Sequence, residues 1–263
     1  MIKLLGELFL KEEEKLNYDN LSIIFSIFKN ILVISNQNIL EMLVHDDFYQ
    51  ILLGALECKI NNQLDENESI QLKKFIRHRK FICEESKFKN IFNIDDSSII
   101  DKIKMNFRLT YLKDVAIARF IEETTIKNLN IIIHYNNSDI LQYFTTHKTI
   151  FKSLFEMINS EKLDVKYEGM AFMMELNNIS KDLMQTKIYF YETLCEMNLL
   201  EVIENLFIFL SLNRKIKYGK HKHLPEDNFN SEDISEEDKR KREILEINSI
   251  EILICCLTVV PSM

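Results

Sequence analysis

The chain has 263 residues, 46% hydrophobic and 28% charged, so it can form a substantial core and is too apolar to be a disordered chain. Its formal net charge of −8 argues against general nucleic-acid binding. Its 4 Gly and 2 Pro disfavour all-β and α/β folds, whose tight turns usually need these residues. We therefore predict a mostly helical chain whose polar turns use Asn, as in Asn36, Asn61-Asn62, Asn136-Asn137 and Asn177-Asn178.

Apolar residues recur at helical spacing along the first half of the chain. They predict helices over residues 2–16 and 21–33, a third helix over 38–44 and 47–58 that a break near His45-Asp46 could divide, and helices over 75–85 and 96–115. Asp19 or Asn20 is expected to cap the second of these helices, and one of residues 96–98 the last. Residues 59–70 are polar and predict a loop, while 88–94 lack clear helical spacing. In the last helix, a stripe is predicted to face the core: Ile100, Ile103, Phe107 and Tyr111.

The second half predicts helices over 122–134, 140–144 (capped by Ser138), 148–158, 164–179, 181–197, 199–212 and 235–259. Residues 214–223 are basic and 226–238 hold seven acids and no base, so we predict a mobile loop at about 213–234. Helix pairs recur at about 35–45 residues, a spacing typical of armadillo and HEAT repeats. The predicted fold is therefore an all-α, armadillo/HEAT-like α-solenoid of about ten to twelve helices, forming a single domain over residues 1–263.

The five cysteines are odd in number and form no CxxC motif, which indicates reduced cytosolic or nuclear thiols. Cys255 and Cys256 lie side by side in an apolar helix and are expected to pack in the core. The apolar run at 252–260 is about half as long as a membrane span, and the first residues lack a signal-peptide pattern. We therefore expect no membrane segment.

The motifs of common enzyme sites do not occur in this chain: GxSxG, GxxxxGK[ST], HExxH and GxGxxG are all missing. His221 and His223 form the only close His pair, and no Cys or acidic residue stands at metal-ligand spacing from them. We therefore predict a non-catalytic protein with no cofactor and no metal site, and we interpret the His pair as part of a solvated loop.

A basic band is the most distinctive feature of this acidic chain. Residues 73–119 hold 12 Lys and Arg against 6 Asp and Glu, a local charge of +6. Such a band favours an acidic peptide or a partner protein over a phosphate backbone, although a solvated helix face would have the same composition. We call residues 77–80 together with Lys87 and Lys89 the basic cluster. The candidate partner-binding set is Arg77, His78, Arg79, Lys87, Lys89, Arg108 and Lys113.

Ser235 carries two interpretations. The run Ser235-Glu236-Glu237-Asp238 matches an acidic-directed phosphorylation site. It also matches a capping box, in which the serine caps the helix and an acid three residues later turns back towards it. We keep Ser235 as a possible phosphosite and favour the cap.

Several short motifs occur in an order and spacing that resemble a known family. They are Tyr18-Asp19-Asn20-Leu21, Ile27-Phe28-Lys29-Asn30-Ile31, Gly54-Ala55-Leu56-Glu57, His78-Arg79-Lys80-Phe81, Lys87-Phe88-Lys89, Lys102-Ile103, Phe107-Arg108-Leu109-Thr110-Tyr111-Leu112-Lys113-Asp114 and Pro261-Ser262-Met263. From about residue 2 to its end, the chain resembles the SMK domain of protein phosphatase 4 regulatory subunit 3, the suppressor-of-MEK-null family. The Leu56-Glu57 motif departs from the family pattern, because Cys58-Lys59-Ile60 replaces a tyrosine and an Asp-Pro pair.

The resemblance implies an armadillo-like, non-catalytic scaffold that assembles with the phosphatase 4 catalytic subunit and a second regulatory subunit. It also implies that Ser/Thr phosphoproteins are directed to the phosphatase, in nucleus and cytoplasm, with a link to the DNA-damage response. A PH-like domain normally precedes this domain and a polar region follows it, so we expect a fragment or an unusually short member. The alternatives are a helical-repeat adaptor with no phosphatase link, a helical enzyme with an unrecognised site, and a nucleic-acid binder that uses the basic band.

Overall fold

A computed structural model describes residues 2–34, 36–61, 78–82, 91–119, 121–218 and 235–259. This part of the chain holds twelve α-helices and no strand, which confirms the predicted all-α class. The helices are α1 (Ile2–Glu14), α2 (Tyr18–Ile34), α3 (Gln37–Val44), α4 (Asp46–Asn61), α5 (His78–Lys80), α6 (Ser97–Tyr111), α7 (Glu123–Thr146), α8 (Lys148–Asn159), α9 (Leu163–Ser180), α10 (Met184–Glu196), α11 (Leu199–Tyr218) and α12 (Glu236–Val259). A π-helical segment, Leu112–Ala116, continues α6.

The helices form two compact units, Met1–Asn136 and Asn137–Met263. In each unit a helix packs on its successor and also on a helix further along the chain, as α2 does on α4 and α9 on α12. This pattern fits the predicted α-solenoid, in which each helical repeat covers the apolar face of its neighbours. The single domain over residues 1–263 stays a prediction.

The N-terminal unit is held by a core formed by α1 to α4, the end of α6 and the start of α7. Its centre consists of large side chains with almost no exposed surface: Phe9, Phe28, Leu32, Leu40, Leu43, Tyr49, Leu52 and Leu109. Short polar caps separate the helices. Asn36 accepts a hydrogen bond from the Ile39 amide, and Asp96 from the Ser98 amide, as predicted. The cap of α2 is Asn17, which accepts from the Asn20 amide, so the prediction of Asp19 or Asn20 as the cap was wrong.

Two predicted turns are wrong because the asparagines point into contacts between helices. α7 continues through Asn136 and Asn137, and Asn136 Nδ2 donates to Asn106 Oδ1 on α6 at 2.9 Å. The predicted break with Ser138 as a cap is therefore absent. Asn177 lies inside α9 with its side chain buried, where it bonds to α10 and α12. When tertiary partners bond to the side-chain amide of an asparagine, that amide does not bond to the local backbone, and the residue can stay inside a helix.

The predicted stripe of α6 is only partly in the core. Ile100 and Ile103 are half-buried and Tyr111 is buried, but Phe107 is 46% exposed. The helix instead turns Leu109 into the core, and Leu112 in the following π segment is buried with it. The π segment begins only at Leu112, so the difference lies within α6 itself, where Leu109 is buried on the face opposite Phe107.

Other predicted boundaries moved by a few residues. The loop predicted at 59–70 begins later, since α4 reaches Asn61, and the loop predicted from 213 begins later, since α11 reaches Tyr218. The remaining residues of these two loops, the rest of the helix predicted over 75–85, and His221 and His223 lie outside the described residues.

The C-terminal unit packs α8, α9, α11 and α12 around aromatic and methionine side chains. Phe151 and Phe190 have ring centres 6.0 Å apart, and Phe144 meets Phe172 edge to face at 5.4 Å. A Cβ at Gly169 would lie 3.0 Å from Met157 Cβ, so glycine there lets α9 approach α8 closely. Helices this close bury their apolar faces without large gaps.

Candidate partner-binding site

Arg79 joins three helices of the N-terminal unit. From α5 its Nη1 and Nη2 donate to the two carboxylate oxygens of Glu13 on α1, at 3.1 and 2.5 Å. Its Nε donates to Glu57 on α4 at 3.4 Å, and its backbone amide donates to the same carboxylate at 2.8 Å. The guanidinium carbon also lies 5.9 Å from the centre of the Phe9 ring. One half-buried arginine thus meets two carboxylates and an aromatic face, which is the geometry that a guanidinium suits best.

Gly54 on α4 makes room for this arginine. A Cβ at Gly54 would stand 2.7 Å from Arg79 Cζ, closer than two such atoms can lie. Burial lowers the pKa of Arg79, but the hydrogen bonds and charges of Glu13 and Glu57 outweigh it, so the pKa is raised above its ordinary value. Arg79 is therefore a permanent cation within the fold, and its charge is largely neutralised by the two acids.

His78, the neighbour of Arg79, is turned into the protein. It is only 8% exposed, and its Nδ1 lies 2.9 Å from the Tyr111 hydroxyl. Phe81 stacks on the same tyrosine at 5.4 Å between ring centres. Burial lowers the pKa of His78 against an opposing effect of the Glu57 charge, so the ring is neutral at pH 7. This histidine anchors α5 on α6 and presents no charge to a partner.

Arg108 on α6 holds the junction between α3 and α4. Its Nη1 donates to the Val44 carbonyl at 3.0 Å, and its Nη2 pairs with the Asp46 carboxylate at the start of α4. The guanidinium lies over the Tyr49 ring at 5.5 Å, and the Tyr49 hydroxyl donates to the Arg108 carbonyl. The Arg108 hydrogen bond is the main cause that lowers the pKa of Asp46, with a smaller contribution from Lys104. Lys104 and Arg108, four residues apart on α6, thus both act on Asp46.

The described members of the candidate set therefore have partners inside the protein. Lys113 is half-buried and pairs with its neighbour Asp114 at 3.3 Å. His78 and Arg79 are brought together beside α4, while Arg108 lies at the other end of that helix. Arg77, Lys87 and Lys89 lie outside the described residues. That any of the seven contacts a partner stays a prediction.

Sequence reasoning missed the acids that receive these cations. Glu13 and Glu57 stand 66 and 22 positions from Arg79, and Asp46 stands 62 positions from Arg108. No local pattern connects such positions. One usable signal existed, since Gly54-Ala55-Leu56-Glu57 and His78-Arg79-Lys80-Phe81 are both among the family-like motifs, and the structure shows that these two motifs contact each other.

Ser235 caps α12, as expected. Its exposed hydroxyl accepts a hydrogen bond from the Asp238 amide at 3.0 Å, three residues into the helix. Glu236, Glu237 and Asp238 occupy the first turn, where negative charge stabilises the helix dipole. The cap is confirmed, and phosphorylation of Ser235 stays a prediction.

The C-terminal unit carries a groove on α11 and α12. It has a volume of about 390 Å³ and is lined by Leu200, Ile203, Glu204, Phe207, Ile208, Ser211 and Leu253. Its walls are mainly apolar, and their polar side chains are the Glu204 carboxylate and the Ser211 hydroxyl, which donates to the Ile208 carbonyl. No group of three or more His, Cys, Asp or Glu among the described residues could hold a metal ion. No helix in that same part of the chain combines the length and apolarity that a membrane crossing requires.

Helices that pack on their successors and on helices further along the chain place this protein in the class of helical-repeat domains. The comparisons agree with this class and narrow it: the model of the phosphatase 4 regulatory subunit 3 family matches residues 1–263, and the chain belongs to that family. No solved structure matches the chain.

Three relatives show how far the similarity extends. "Suppressor of Mek1" of Dictyostelium discoideum is 31% identical over 183 residues, covering 68% of this chain and 17% of that protein. "Serine/threonine-protein phosphatase 4 regulatory subunit 3" is 28% identical in Kluyveromyces lactis, over 76% of this chain and 26% of the relative. The Drosophila melanogaster protein of the same name is 26% identical, over 77% of this chain and 20% of the relative. The chain thus spans about a quarter or less of the relatives that it matches.

Proposed function

We propose that this chain is a non-catalytic scaffold domain of a phosphatase 4 complex, which directs the Ser/Thr phosphatase to its substrates through protein contacts. The observation that carries the proposal is the family match over residues 1–263. The names of the yeast and fly relatives supply the regulatory role, since both are called regulatory subunits of phosphatase 4. The helical architecture supports it, because stacked helices expose long faces suited to binding other proteins.

The proposed partners are the phosphatase 4 catalytic subunit, a second regulatory subunit and substrate phosphoproteins. No cofactor, membrane or direct nucleic-acid contact is part of the proposal. We place the complex in the nucleus and cytoplasm and link it to the DNA-damage response, on the family resemblance alone.

The ion pairs of Arg79 and Arg108 inside the protein narrow the set of cations that could contact a partner. Arg79 and Arg108 are engaged by Glu13, Glu57 and Asp46, so their first role is to fix α5 and α6 in place. We infer that partner contact belongs to three other cations of the basic cluster, Arg77, Lys87 and Lys89, which border this framework in sequence. Arg and Lys at such a border suit an acidic partner surface.

The first experiment is affinity purification of the full-length parent protein from its own cells, followed by mass spectrometry. Recovery of a phosphatase-4-type catalytic subunit in near-equal amount, and its loss when residues 1–263 are deleted, would support the proposal. If the intact parent recovers no phosphatase, the function becomes that of a helical adaptor with no phosphatase link.

The second experiment reverses charge at the border residues while leaving the framework intact. The triple variant Arg77→Glu, Lys87→Glu, Lys89→Glu should weaken capture of the partner at least tenfold, because like charges across an interface repel. The matched control reverses three exposed lysines of the C-terminal unit, Lys148, Lys152 and Lys162. Equal capture by the folded triple variant and by the wild-type protein would reject the basic cluster as the contact.

A further inference from the structure

Two cysteines on different helices of the C-terminal unit face each other. Cys195 Sγ on α10 and Cys256 Sγ on α12 lie 3.1 Å apart, although 61 positions separate them in the chain. A disulfide has an S–S length of about 2.0 Å, so the two atoms need to approach by only about 1 Å. Both residues are free thiols in this structure. The helices that carry them already pack together.

The two thiols differ in their access to solvent. Cys195 is half-buried, whereas Cys256 is 2% exposed. Burial, aided by a hydrogen bond with Cys195, raises the pKa of Cys256 to about 12, so this residue is a thiol at neutral pH. An oxidant from solvent therefore reaches Cys195 first. Cys256 lies beside it as the resolving cysteine, the one that attacks the oxidised sulfur to form the disulfide.

We propose that Cys195 and Cys256 are a redox modification site, in which a hydroperoxide oxidises Cys195 and Cys256 then closes a reversible disulfide between α10 and α12. The proposal does not depend on the phosphatase role. It is compatible with a reducing compartment, where such bonds are transient and formed on oxidation.

The chemistry proceeds in two balanced steps. The Cys195 thiolate attacks one oxygen of the hydroperoxide, the O–O bond breaks, and the other oxygen leaves as an alcohol or water after taking a proton. This step oxidises Cys195 by two electrons to a sulfenic acid and reduces the peroxide by two. The Cys256 sulfur then attacks the sulfenic sulfur, the S–O bond breaks, and water departs with the Cys256 proton. A dithiol reductant reverses the bond by exchange.

The bond would join two helices that both contact α9 and α11. Leu253, on the wall of the α11–α12 groove, lies one helical turn before Cys256, and Leu200, on its other side, follows Cys195 by five residues. Closing the bond therefore ties α12, which carries one wall of the groove, to α10, which directly precedes the α11 wall in the chain. It also closes a covalent loop through α11, which reduces the freedom of the unfolded chain.

Cys255 provides a matched control. It stands next to Cys256, is half-buried and lies beside the Tyr191 hydroxyl. If proximity in sequence decided the pairing, Cys255 would bond to Cys195 as readily as Cys256. The geometry assigns the bond to Cys256 alone.

The test treats the reduced, folded 263-residue chain with hydrogen peroxide, blocks the remaining thiols under denaturing conditions, and maps cross-linked peptides by mass spectrometry. Fragmentation between residues 255 and 256 locates the bond even in the wild-type protein. We expect a Cys195–Cys256 cross-link that dithiothreitol removes and that raises Tm by about 5 °C. The cross-link should persist in Cys255→Ser and disappear in Cys195→Ser and Cys256→Ser.

Three results would overturn the proposal. One is the absence of a cross-link in the folded wild-type chain, whether its thiols stay reduced or over-oxidise to sulfinic acid. Another is a bond from Cys195 to Cys255. The third is a cross-link that forms as fast in urea as in the folded protein, which would show that the helices do not direct it. If a serine variant fails to fold by circular dichroism, peptide mapping of the wild-type chain still decides the pairing.

Discussion

Arg79 and Glu13 form a two-bond ion pair across 66 positions of sequence, with the arginine on α5 and the glutamate on α1. The same guanidinium contacts Glu57 on α4, so one side chain links the first, fourth and fifth helices. α5 has only three residues and cannot be stable by itself, since isolated helices of this length do not form. The ion pairs therefore attach this short helix to the N-terminal unit.

Replacing Arg79 should destabilise the N-terminal unit. In Arg79→Ala, Glu13 and Glu57 lose their donor while both side chains are only partly exposed to water. We expect a loss of about 2 kcal/mol in the free energy of unfolding, because carboxylates without partners are costly away from water. Urea denaturation measures it. The control is Lys80→Ala at the exposed neighbouring position, which should cost less than about 0.5 kcal/mol. Equal stability of both variants would mean that the ion pairs of Arg79 with Glu13 and Glu57 contribute nothing to the free energy of unfolding.

The close approach of Gly54 and Arg79 predicts that the effect of Gly54→Ala on stability depends on Arg79. In the wild-type chain Gly54→Ala should lower the free energy of unfolding by about 1 kcal/mol. The higher helix propensity of alanine is favourable, but displacing the guanidinium costs more. In the Arg79→Ala background the methyl meets no guanidinium, so the same change should stabilise by about 1 kcal/mol. A double-mutant cycle in urea measures this coupling. Additive effects would show that the two residues do not constrain each other.

The buried His78 should make stability depend on pH. Its pKa is lowered from 6.5 in the folded protein, so below pH 6.5 the unfolded chain binds a proton that the folded chain resists. The free energy of unfolding should therefore fall as the pH drops from 6.5 towards the folded pKa, and this contribution is constant above 6.5. Unfolding in urea between pH 5 and 8 measures the slope. His78→Gln should flatten it, and His147→Gln, at an exposed position, should not. An unchanged slope in His78→Gln would assign the pH dependence to other groups.

Local periodicity was sufficient for most of the helices. The stripe at 148–158 predicted α8 to within one residue, because its apolar positions face one direction and repeat every turn. The same reasoning failed at Asn136, where the fate of the amide depends on Asn106 on another helix. Asparagine is compatible with a turn and with a helix, and only the tertiary partner decides between them.

The candidate site was harder to predict than the fold, because its contacts also depend on residues that are far apart in the sequence. Sequence shows a density of cations around Arg79 but cannot show that acids 22 and 66 positions away receive one of them. A cation adds the same charge to the sequence whether it contacts a partner protein or a distant helix of its own chain. Charge counting therefore located a dense group of cations without showing their internal acids, and contact of these cations with a partner stays a prediction.

A buried polar network in the C-terminal unit offers the last prediction. The Tyr191 hydroxyl on α10 donates to the Asn177 side-chain carbonyl on α9, and Asn177 Nδ2 donates to Glu251 on α12 at 3.2 Å. Tyr191→Phe keeps the ring packing but leaves the buried Asn177 oxygen without this donor. We expect a cost of about 1–2 kcal/mol in the free energy of unfolding, the usual penalty for an unsatisfied buried acceptor.

The matched control is Tyr189→Phe, two positions earlier on the same helix, where the side chain is 53% exposed. Removing a hydroxyl from an exposed position should cost less than about 0.5 kcal/mol. Urea unfolding of both variants separates the hydrogen bond from the general effect of a Tyr to Phe change. If Tyr191→Phe loses no more stability than Tyr189→Phe, the hydrogen bond from Tyr191 to Asn177 orients these helices without stabilising them.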